Sequence, residues 1–225
     1  MPEAAIYQVA IDGPAASGKS TTARLVAREL GIQYLDTGAM YRALTLDVLR
    51  AGIRPEDAAG VEGRLAALQL DWRGGRVLLR GEDVGQAIRD NSISVGMGPV
   101  CALPAVRDWM VRLQRELGGR QSTVLEGRDI GTVVFPLARF KFFLVADLVE
   151  RARRRQRELA ACGSQVELDL LVEELRRRDE SDAARAAGPL RQASDALRVD
   201  TTRLTLEEQA AFILDEVRRG LAEQG

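Results

Sequence analysis

The chain has 225 residues, 46% of them hydrophobic, which suits one α/β domain with a large core and a small insert. Its 32 basic and 33 acidic residues nearly cancel, so we expect no whole-surface attraction to nucleic acid or to an anionic membrane. No apolar run reaches membrane-spanning length and the first residues lack the basic start of a signal peptide, so a cytoplasmic protein is expected.

The first predicted elements enclose a glycine-rich loop. Residues 6–11 are typical of a short buried strand, and residues 19–30 have helical periodicity that ends at Gly31. Between them, Gly13-Pro-Ala-Ala-Ser-Gly-Lys-Ser has the spacing of a phosphate-binding loop. The strand before the loop and the helix after it direct backbone amides and the helix N-terminus toward phosphates. An ordinary glycine-rich turn between a strand and a helix is the alternative, and it does not require this spacing. The loop therefore predicts binding of a nucleoside triphosphate.

The rest of the chain alternates strands and helices, with one antiparallel interruption. In order, the pattern predicts a strand ending at 35–36, a helix closing at Gly52, a helix over 55–68, a hairpin turning at 73–75, a helix over 103–119, strands within 122–127 and 140–147, two charged helices within 148–163 and 167–185, a strand within 196–202, and a last helix capped by Thr205 and Glu208. This order predicts a parallel sheet wrapped by helices, with an insert at about 56–100.

Other nucleotide-hydrolysing motifs are missing from the sequence. A GTPase would carry Asn-Lys-x-Asp, which neither Lys19 nor Lys141 supplies, and no apolar strand ends in the Asp-Glu of a motor ATPase. Cys101 and Cys162 are isolated, which indicates neither a disulfide framework nor a zinc site. Arginine crowds the two charged helices, which are either a solvated pair with i,i+4 ion pairs or a lid that closes over phosphates.

The lack of histidine favours a particular phosphoryl acceptor. Transfer to a hydroxyl is helped by a positioned base, whereas a phosphate monoester, with a second pKa of about 6, is already a dianion at pH 7. An enzyme for such an acceptor has to align two anions and stabilise a loose transition state, and arginines, one loop lysine and magnesium suffice. The residues therefore indicate a nucleoside monophosphate kinase.

Six stretches of the sequence resemble the bacterial cytidylate kinases. In the family's order they are IDGPAASGKST, YLDTGAMYR, PAVRDWMVRLQR, EGRDIGTVVFP, ERARRR and RRRDESDAARAAGPL. The resemblance implies an α/β P-loop nucleoside monophosphate kinase fold over residues 1–225, with a monophosphate-binding insert at about 56–100 and a helical lid at about 150–182. It also implies transfer of the γ-phosphoryl group of ATP to CMP or dCMP, with Mg²⁺, in pyrimidine metabolism. We expect a monomer that binds neither nucleic acid nor membrane.

The resemblance further implies roles for individual residues. Lys19 would contact the β- and γ-phosphates, and Ser20 would bind magnesium. The donor loop would consist of Gly13, Pro14, Ala15, Ala16, Ser17, Gly18, Lys19, Ser20 and Thr21, joined by Arg151 of the lid. The catalytic contacts would come from Lys19, Arg128, Arg154 and Arg155. The acceptor would be held by Arg42 and Arg128 at the phosphate, by Thr37, Arg107, Asp129 and Arg185 at the cytosine, and by Arg178 and Asp182 at the ribose.

One position departs from the family pattern. Nine residues before Arg107 the family usually has a serine that contacts the ribose, and this chain has Gly98, which leaves Ser92 or Ser94 as substitutes in a shifted register. Two other functions stay open: a kinase of another monophosphate or small acid on the same fold, and a nucleotide-binding regulator without turnover. Intact Lys19 and Ser20, together with Arg42 and Arg128, speak against the regulator.

Overall fold

The computed structural model describes residues 6–161 and 163–223, so Cys162, noted above as isolated, lies outside the described residues. In chain order its elements are β1 (Gln8–Asp12), α1 (Lys19–Leu30), β2 (Gln33–Asp36), α2 (Thr37–Arg50), α3 (Ala58–Leu65), β3 (Leu70–Arg73), β4 (Arg76–Leu79), β5 (Glu82–Asp83), α4 (Asn91–Ala102), α5 (Pro104–Gly119), β6 (Thr123–Gly127), β7 (Phe140–Val145), α6 (Leu148–Ala161), α7 (Leu168–Ala183), β8 (Leu197–Asp200) and α8 (Leu206–Ala222).

A five-stranded parallel sheet forms the centre of the fold. Its spatial order is β2-β6-β1-β7-β8, so the strand that precedes the glycine-rich loop lies in the middle. The register pairs Asp12 with Gly127 and Asp36 with Glu126, which brings the carboxyl ends of three strands to one edge. Strand β6 is buried along its whole length, as expected for an apolar run covered on both faces.

Helices cover both faces of this sheet and create two apolar cores. One core joins α1 and α8 to the sheet through residues such as Val26 and Ile213, and the other joins α2 and α5 through Leu44 and Met110. Helix α1 begins and ends where the sequence predicts, since Gly31 adopts φ +66° and donates its N–H to Arg28. The predicted capping box of Thr205 and Glu208 is present at the start of α8.

The insert is an antiparallel sheet of three strands, β3-β4-β5, followed by α4. Its hairpin turns at Gly74 and Gly75, with φ +56° and +75°, which matches a two-residue turn in the left-handed region. The sequence reading missed both β5 and α4. Gly98 lies within α4, with Pro99 also inside the helix and Asp90 capping its first turn.

Helices α6 and α7 form a helical hairpin above the glycine-rich loop. A small apolar cluster that includes Ala152, Leu171 and Leu175 holds the two helices together and reaches Ala15 of that loop. Within the part of the chain that the structure describes, none of the helices combines the length and the apolar character that crossing a bilayer requires.

Candidate active site

The residues predicted to act follow the carboxyl ends of the parallel strands. The glycine-rich loop follows β1, Thr37 follows β2, and Arg128 follows β6. The lid helix α6 follows β7, and Thr201 follows β8. Open α/β sheets bind their ligands at this edge, so the sequence and the topology point to the same cleft.

The phosphate loop has a backbone conformation that few side chains allow. A side chain at Gly13 would place its Cβ 2.2 Å from the carbonyl oxygen of Leu144, so only glycine fits between the loop and β7. Ala16 adopts φ +57°, a left-handed conformation that costs a non-glycine residue about 1–2 kcal/mol. Gly18, with φ +91°, caps α1. Strain of this kind is typical of a loop whose amides are held ready for a ligand.

Lys19 is buried in the cleft at the start of α1. Its Nζ donates to the carbonyl oxygen of Pro14 at 2.9 Å, and 5% of the residue is exposed. Burial and the neighbouring charge of Arg128 lower the pKa of Lys19 to about 7, while Glu126 opposes the shift. An anionic ligand in the cleft would restore the charged form, so the surroundings of this lysine favour the binding of an anion.

Glu126, at the end of β6, is a site residue that sequence reasoning missed. Its carboxylate accepts a hydrogen bond from Ser20 Oγ at 2.6 Å and one from the hydroxyl of Tyr34 at 3.4 Å. Burial and the nearby charge of Asp36 raise the pKa of this carboxyl. The signal was present in the sequence as a single glutamate closing an apolar strand, in the position where hydrolysing enzymes carry a metal-directed carboxylate.

Four cationic side chains converge beside the phosphate loop. Arg128 and Arg178 both contribute to the lowered pKa of Lys19, and Arg42 and Arg128 contribute to the lowered pKa of Arg178, which burial lowers most. The Arg42 guanidinium lies 3.6 Å from Asp36. Positive charges so close together repel one another, so such a cluster is typical of a site that binds an anion. The cluster therefore predicts a polyanionic ligand.

A buried ion pair lies next to this cluster. Arg107 on α5 pairs with Asp129, and both side chains are 6% exposed. The hydroxyl of Tyr41 accepts a hydrogen bond from Arg107 Nη1 at 2.8 Å, and the guanidinium lies 5.7 Å from the centre of the Tyr41 ring. Among the residues that the structure describes, none is a hydrogen-bond partner of Arg107 Nε, which is a buried donor. Thr37 Oγ1, also predicted here, donates to the carbonyl oxygen of Glu126 at 2.6 Å.

The lid reaches Arg128 through Asp182, and the segment after α7 reaches the Arg107–Asp129 pair at Gly188. The carboxylate of Asp182 accepts from Arg128 Nε at 2.7 Å and pairs with Arg185, three residues further along the chain. Its carbonyl oxygen accepts the N–H of Leu190 at 2.9 Å, which folds the chain back over the cleft. At Gly188, with φ +63°, an added Cβ would lie 1.9 Å from Arg107 Nη2 and 2.1 Å from Asp129 Oδ2.

The three predicted lid arginines occupy different surroundings. Arg151 is buried, pairs with Asp179 at 2.7 Å and donates to the carbonyl oxygen of Ala15 at 3.2 Å, so it links the lid to the phosphate loop. Arg154 donates to Thr201 Oγ1 at 3.1 Å. Arg155 pairs with Glu158 of its own helix at 3.3 Å and is not brought into the cleft.

A cavity of about 440 Å³ lies between α6 and the loop that follows β8. Arg154 lines it on the lid side, and Thr202, Arg203 and Gln209 line it on the other, with Gly18 of the phosphate loop at its base. The residues that line the cavity do not include Lys19, Arg128 or the other two cations of the cluster.

Gly98, the position that departs from the family pattern, is exposed within α4 and has open space at its Cβ position.

The sheet order, the phosphate loop after its central strand and the cationic cleft define a P-loop kinase. The cytidylate kinase family model matches residues 9–219 of the chain. The chain belongs to the cytidylate kinase family.

Relatives agree with this assignment, and a solved structure agrees with the fold. The chain is 49% identical to the cytidylate kinase of Mycobacterium leprae, covering 94% of this chain and 95% of the relative, and 46% identical to that of Chlorobaculum tepidum, covering 96% and 94%. A shikimate kinase from Bacteroides thetaiotaomicron superposes with a TM-score of 0.51 at 13% identity, covering 95% of this chain and 99% of the other. This last likeness shows the fold alone.

Proposed function

We propose that the protein transfers the γ-phosphoryl group of ATP to CMP or dCMP, giving ADP and CDP or dCDP. The observation that supports this most directly is the buried Arg107–Asp129 pair beside a cluster of four cations. The positive charge of the cluster can bind two phosphate groups. The ion pair can bind a base that offers a hydrogen-bond donor beside acceptors. Both lie at the carboxyl edge of a sheet that carries a phosphate loop.

The pair can distinguish cytosine from uracil. Cytosine has an amino donor at N4 beside acceptors at N3 and O2, whereas a carboxylate only accepts and a guanidinium only donates. Asp129 at N4 and Arg107 at the ring acceptors would satisfy that edge. Uracil, with an acceptor at O4 and a donor at N3, would leave a buried carboxylate facing lone pairs, which costs more than one lost neutral hydrogen bond.

The cation cluster provides the chemistry without a general base. The acceptor phosphate is a dianion at neutral pH, so the attacking oxygen needs no deprotonation. Arg42 and Arg128 would hold that phosphate, and Lys19 would bind the β- and γ-phosphates of the donor. Alignment of the two groups and neutralisation of their repulsion then lower the barrier. Arg178 and Asp182 would hold the ribose, with Thr37 and Arg185 beside the cytosine.

The donor fits the other side of the cleft. We assign the phosphates of ATP to residues 13–21 and its base to the cavity between Arg154 and Gln209. Arg151 would hold the loop through Ala15 rather than touch the nucleotide, and Arg154, which lines the cavity, would be the lid arginine nearest the donor. Arg155 would have to leave Glu158 to act in catalysis.

Magnesium suits the oxygen atoms at the mouth of the phosphate loop. Ser20 Oγ and the carboxylate of Glu126 lie 2.6 Å apart, both are hard oxygen donors, and within the described residues no cluster of three acidic, histidine or cysteine side chains offers a complete metal cage. An ion held by two protein groups and by substrate phosphates is the usual arrangement for Mg²⁺. When bound, Mg²⁺ would neutralise charge on the phosphates, and Ser20 and Glu126 would orient it.

The remaining proposals concern organisation. We assign one domain with the insert at about 56–100 binding the monophosphate and the lid at about 150–182 closing over both nucleotides. We further propose a monomer in the cytoplasm. Sedimentation with and without nucleotides measures the oligomeric state, and a dimer under both conditions would refute the proposed monomer.

A coupled assay with a panel of acceptors tests the function. The panel contains CMP, dCMP, UMP, AMP, dTMP and shikimate, and we expect strong preference for CMP and dCMP. Sites built around such a hydrogen-bond partner discriminate by about 10⁴–10⁵, less where water enters. Asp129→Ala should lose most CMP activity and most of the preference, whereas Asp108→Ala, an exposed aspartate on α5, should retain both. Equal use of UMP and CMP by the unaltered protein would refute the assignment.

A further inference from the structure

Asp12, the last residue of β1, is a buried carboxylate with two backbone partners. Its Oδ1 accepts the N–H of Ile130 and its Oδ2 accepts the N–H of Gly131, each at 2.8 Å. Both amides belong to the turn that immediately follows Arg128 and Asp129. The residue after Asp12 is Gly13, the first residue of the phosphate loop.

We infer that Asp12 is a positioning residue that holds the acceptor-binding turn in place relative to the phosphate loop. This inference rests on the proposed function, because it concerns how the two substrate sites are kept in alignment. Arg128 would clamp the acceptor phosphate and Asp129 would face the base, and neither side chain contacts Asp12 through a hydrogen bond. Asp12 acts on them through the backbone.

Asp12 binds the beginning of the turn, whereas Arg115 binds its end by donating to the carbonyl oxygens of Val133 and Val134 at 2.7 and 2.8 Å. The turn is closed by its own hydrogen bonds, since the carbonyl oxygen of Asp129 accepts from Val133 at 2.8 Å and from Val134 at 3.2 Å. This pattern is a single π-helical turn over Ile130–Val134, a strained form that is common at functional sites. The first amides of that turn have no partner within it, so Asp12 satisfies them and fixes where the turn begins.

The phosphate loop is anchored independently at the adjoining residue. The backbone at Gly13 lies so near Leu144 that no Cβ fits, which holds the loop against β7. Strand β1 also pairs with β6 in register, with Asp12 opposite Gly127. Asp12 therefore connects the phosphate loop, which is anchored on β7, to the turn that follows β6. The distance between the donor and acceptor phosphates would depend on this connection.

The alternative is that Asp12 only stabilises the fold. A positioning role predicts a kinetic effect out of proportion to the loss of stability, because displacement of about 1 Å at a reacting group costs on the order of 100-fold in rate. A purely structural role predicts a lower melting temperature and normal kinetics at temperatures where the variant is folded.

Asp12→Asn is the decisive substitution, because it keeps the size and turns one acceptor into a donor that faces an amide N–H. Asp47→Asn is the matched control: Asp47 is equally buried but is bound by Arg64, at 2.6 Å, and Arg80, outside the cleft. We expect Asp12→Asn to lower kcat/KM for CMP by about 100-fold and to weaken the preference over UMP, with KM for ATP within about twofold of the parent. Asp47→Asn should lower the melting temperature with little kinetic effect.

A double-mutant cycle and hydrogen exchange complete the test. If Asp12 acts through the turn, adding Asp12→Asn to Arg128→Ala should cost much less than it does alone, whereas independent roles should add. Amide exchange of the peptide covering residues 128–134 should also accelerate in Asp12→Asn. Additive losses, normal kinetics, or unchanged exchange in that peptide would each overturn the inference. If the panel finds a different acceptor, or no turnover, the proposed function fails, while the same comparison with that acceptor, or the exchange measurement alone, still decides the role of Asp12.

Discussion

Arg128 and Asp182 join the core of the protein to its lid through a hydrogen bond of 2.7 Å between Nε and Oδ2. Arg128 follows β6 in the sheet, and Asp182 lies in the last turn of α7 with a side-chain exposure of only 2%. Burial alone would raise the pKa of Asp182, but Arg128 and Arg185 hold it below its usual value. The residue proposed to clamp the acceptor phosphate is thus also one of the residues that hold the lid, beside the contacts of Arg151 and of the apolar cluster with Ala15.

Replacement of Asp182 by asparagine should loosen the lid. Hydrogen bonds to charged groups contribute about 1.5–3 kcal/mol, so amide exchange over residues 168–190 of the nucleotide-free protein should accelerate by about 10- to 100-fold. CMP should bind more weakly by a similar factor. Glu173→Gln, on the same helix but in exposed pairs with Arg176 and Arg177, is the control and should change little. Unchanged exchange in Asp182→Asn would show that the lid is held elsewhere.

Gly188 should be intolerant of a single methyl group. Its φ of +63° disfavours other residues, and an added Cβ would overlap the Arg107–Asp129 pair. We expect Gly188→Ala to raise KM for CMP by at least about tenfold and to leave KM for ATP nearly unchanged, because Gly188 does not line the cavity proposed for the donor. Gly163→Ala is matched in φ, at +82°, but has open space around its Cβ position, so it controls for backbone strain. Equal effects of the two substitutions on KM for CMP would contradict the prediction.

Asp12 should make stability depend on pH. Burial raises its pKa from 3.8 to about 7, opposed by the amides of Gly131 and Ile130. Between these two values the folded protein binds more protons at this site than the unfolded chain, so the contribution of Asp12 to the free energy of unfolding falls as pH rises from about 4 to 7. The upper bound is about 4 kcal/mol, at 1.36 kcal/mol per pKa unit.

Urea unfolding of the parent protein and of Asp12→Asn between pH 4.5 and 7.5 measures this effect. Other groups titrate over the same range, so the quantity of interest is the difference between the two proteins. As pH rises, the free energy of unfolding of the parent protein should fall by more than about 1 kcal/mol relative to that of Asp12→Asn. Parallel stability curves would mean that Asp12 keeps an ordinary pKa in the folded state.

The regular part of the fold could be predicted from the sequence because local signals and tertiary packing agree there. Helix α1 has apolar periodicity and a glycine stop, and both survive in the structure. Helix α4 could not be predicted, because its two glycines and Pro99 are poor helix formers on their own. The structure shows why tertiary contacts prevail: Gly96 lies so near Pro55 and Thr45 that a Cβ would meet them at 3.0 and 3.2 Å.

Members of the candidate site could be predicted from the sequence where a motif assigns a residue type a single chemical role. A lysine in a phosphate loop is such a case, and so is an aspartate after Gly-Arg in a cytidylate kinase-like sequence. Asp12 and Glu126 were missed because their partners, the amide of Gly131 and the hydroxyl of Ser20, come together only through the pairing of β1 with β6. The arginines of α6 could not be ranked, since their facing depends on how the lid packs.

The final prediction concerns Lys19, which we propose takes part in the phosphoryl transfer itself. A lysine in this position compensates charge that develops most fully near transfer, and one such contact is worth about 2.7–4 kcal/mol, or 10²- to 10³-fold in kcat. Lys19→Ala should therefore abolish most turnover and leave the fold intact, because removing a buried cation among Arg128 and Arg178 relieves repulsion. Lys19→Arg should rescue poorly, since a planar guanidinium does not replace a compact ammonium in a space bounded by Pro14. Lys141→Ala is the matched control: Lys141 is the other lysine of the chain and pairs with Asp195 at 2.7 Å, so its loss should affect stability more than kcat. Turnover and thermal unfolding measured on all three variants give the answer, and more than about a tenth of parental kcat in Lys19→Ala would remove this lysine from the mechanism.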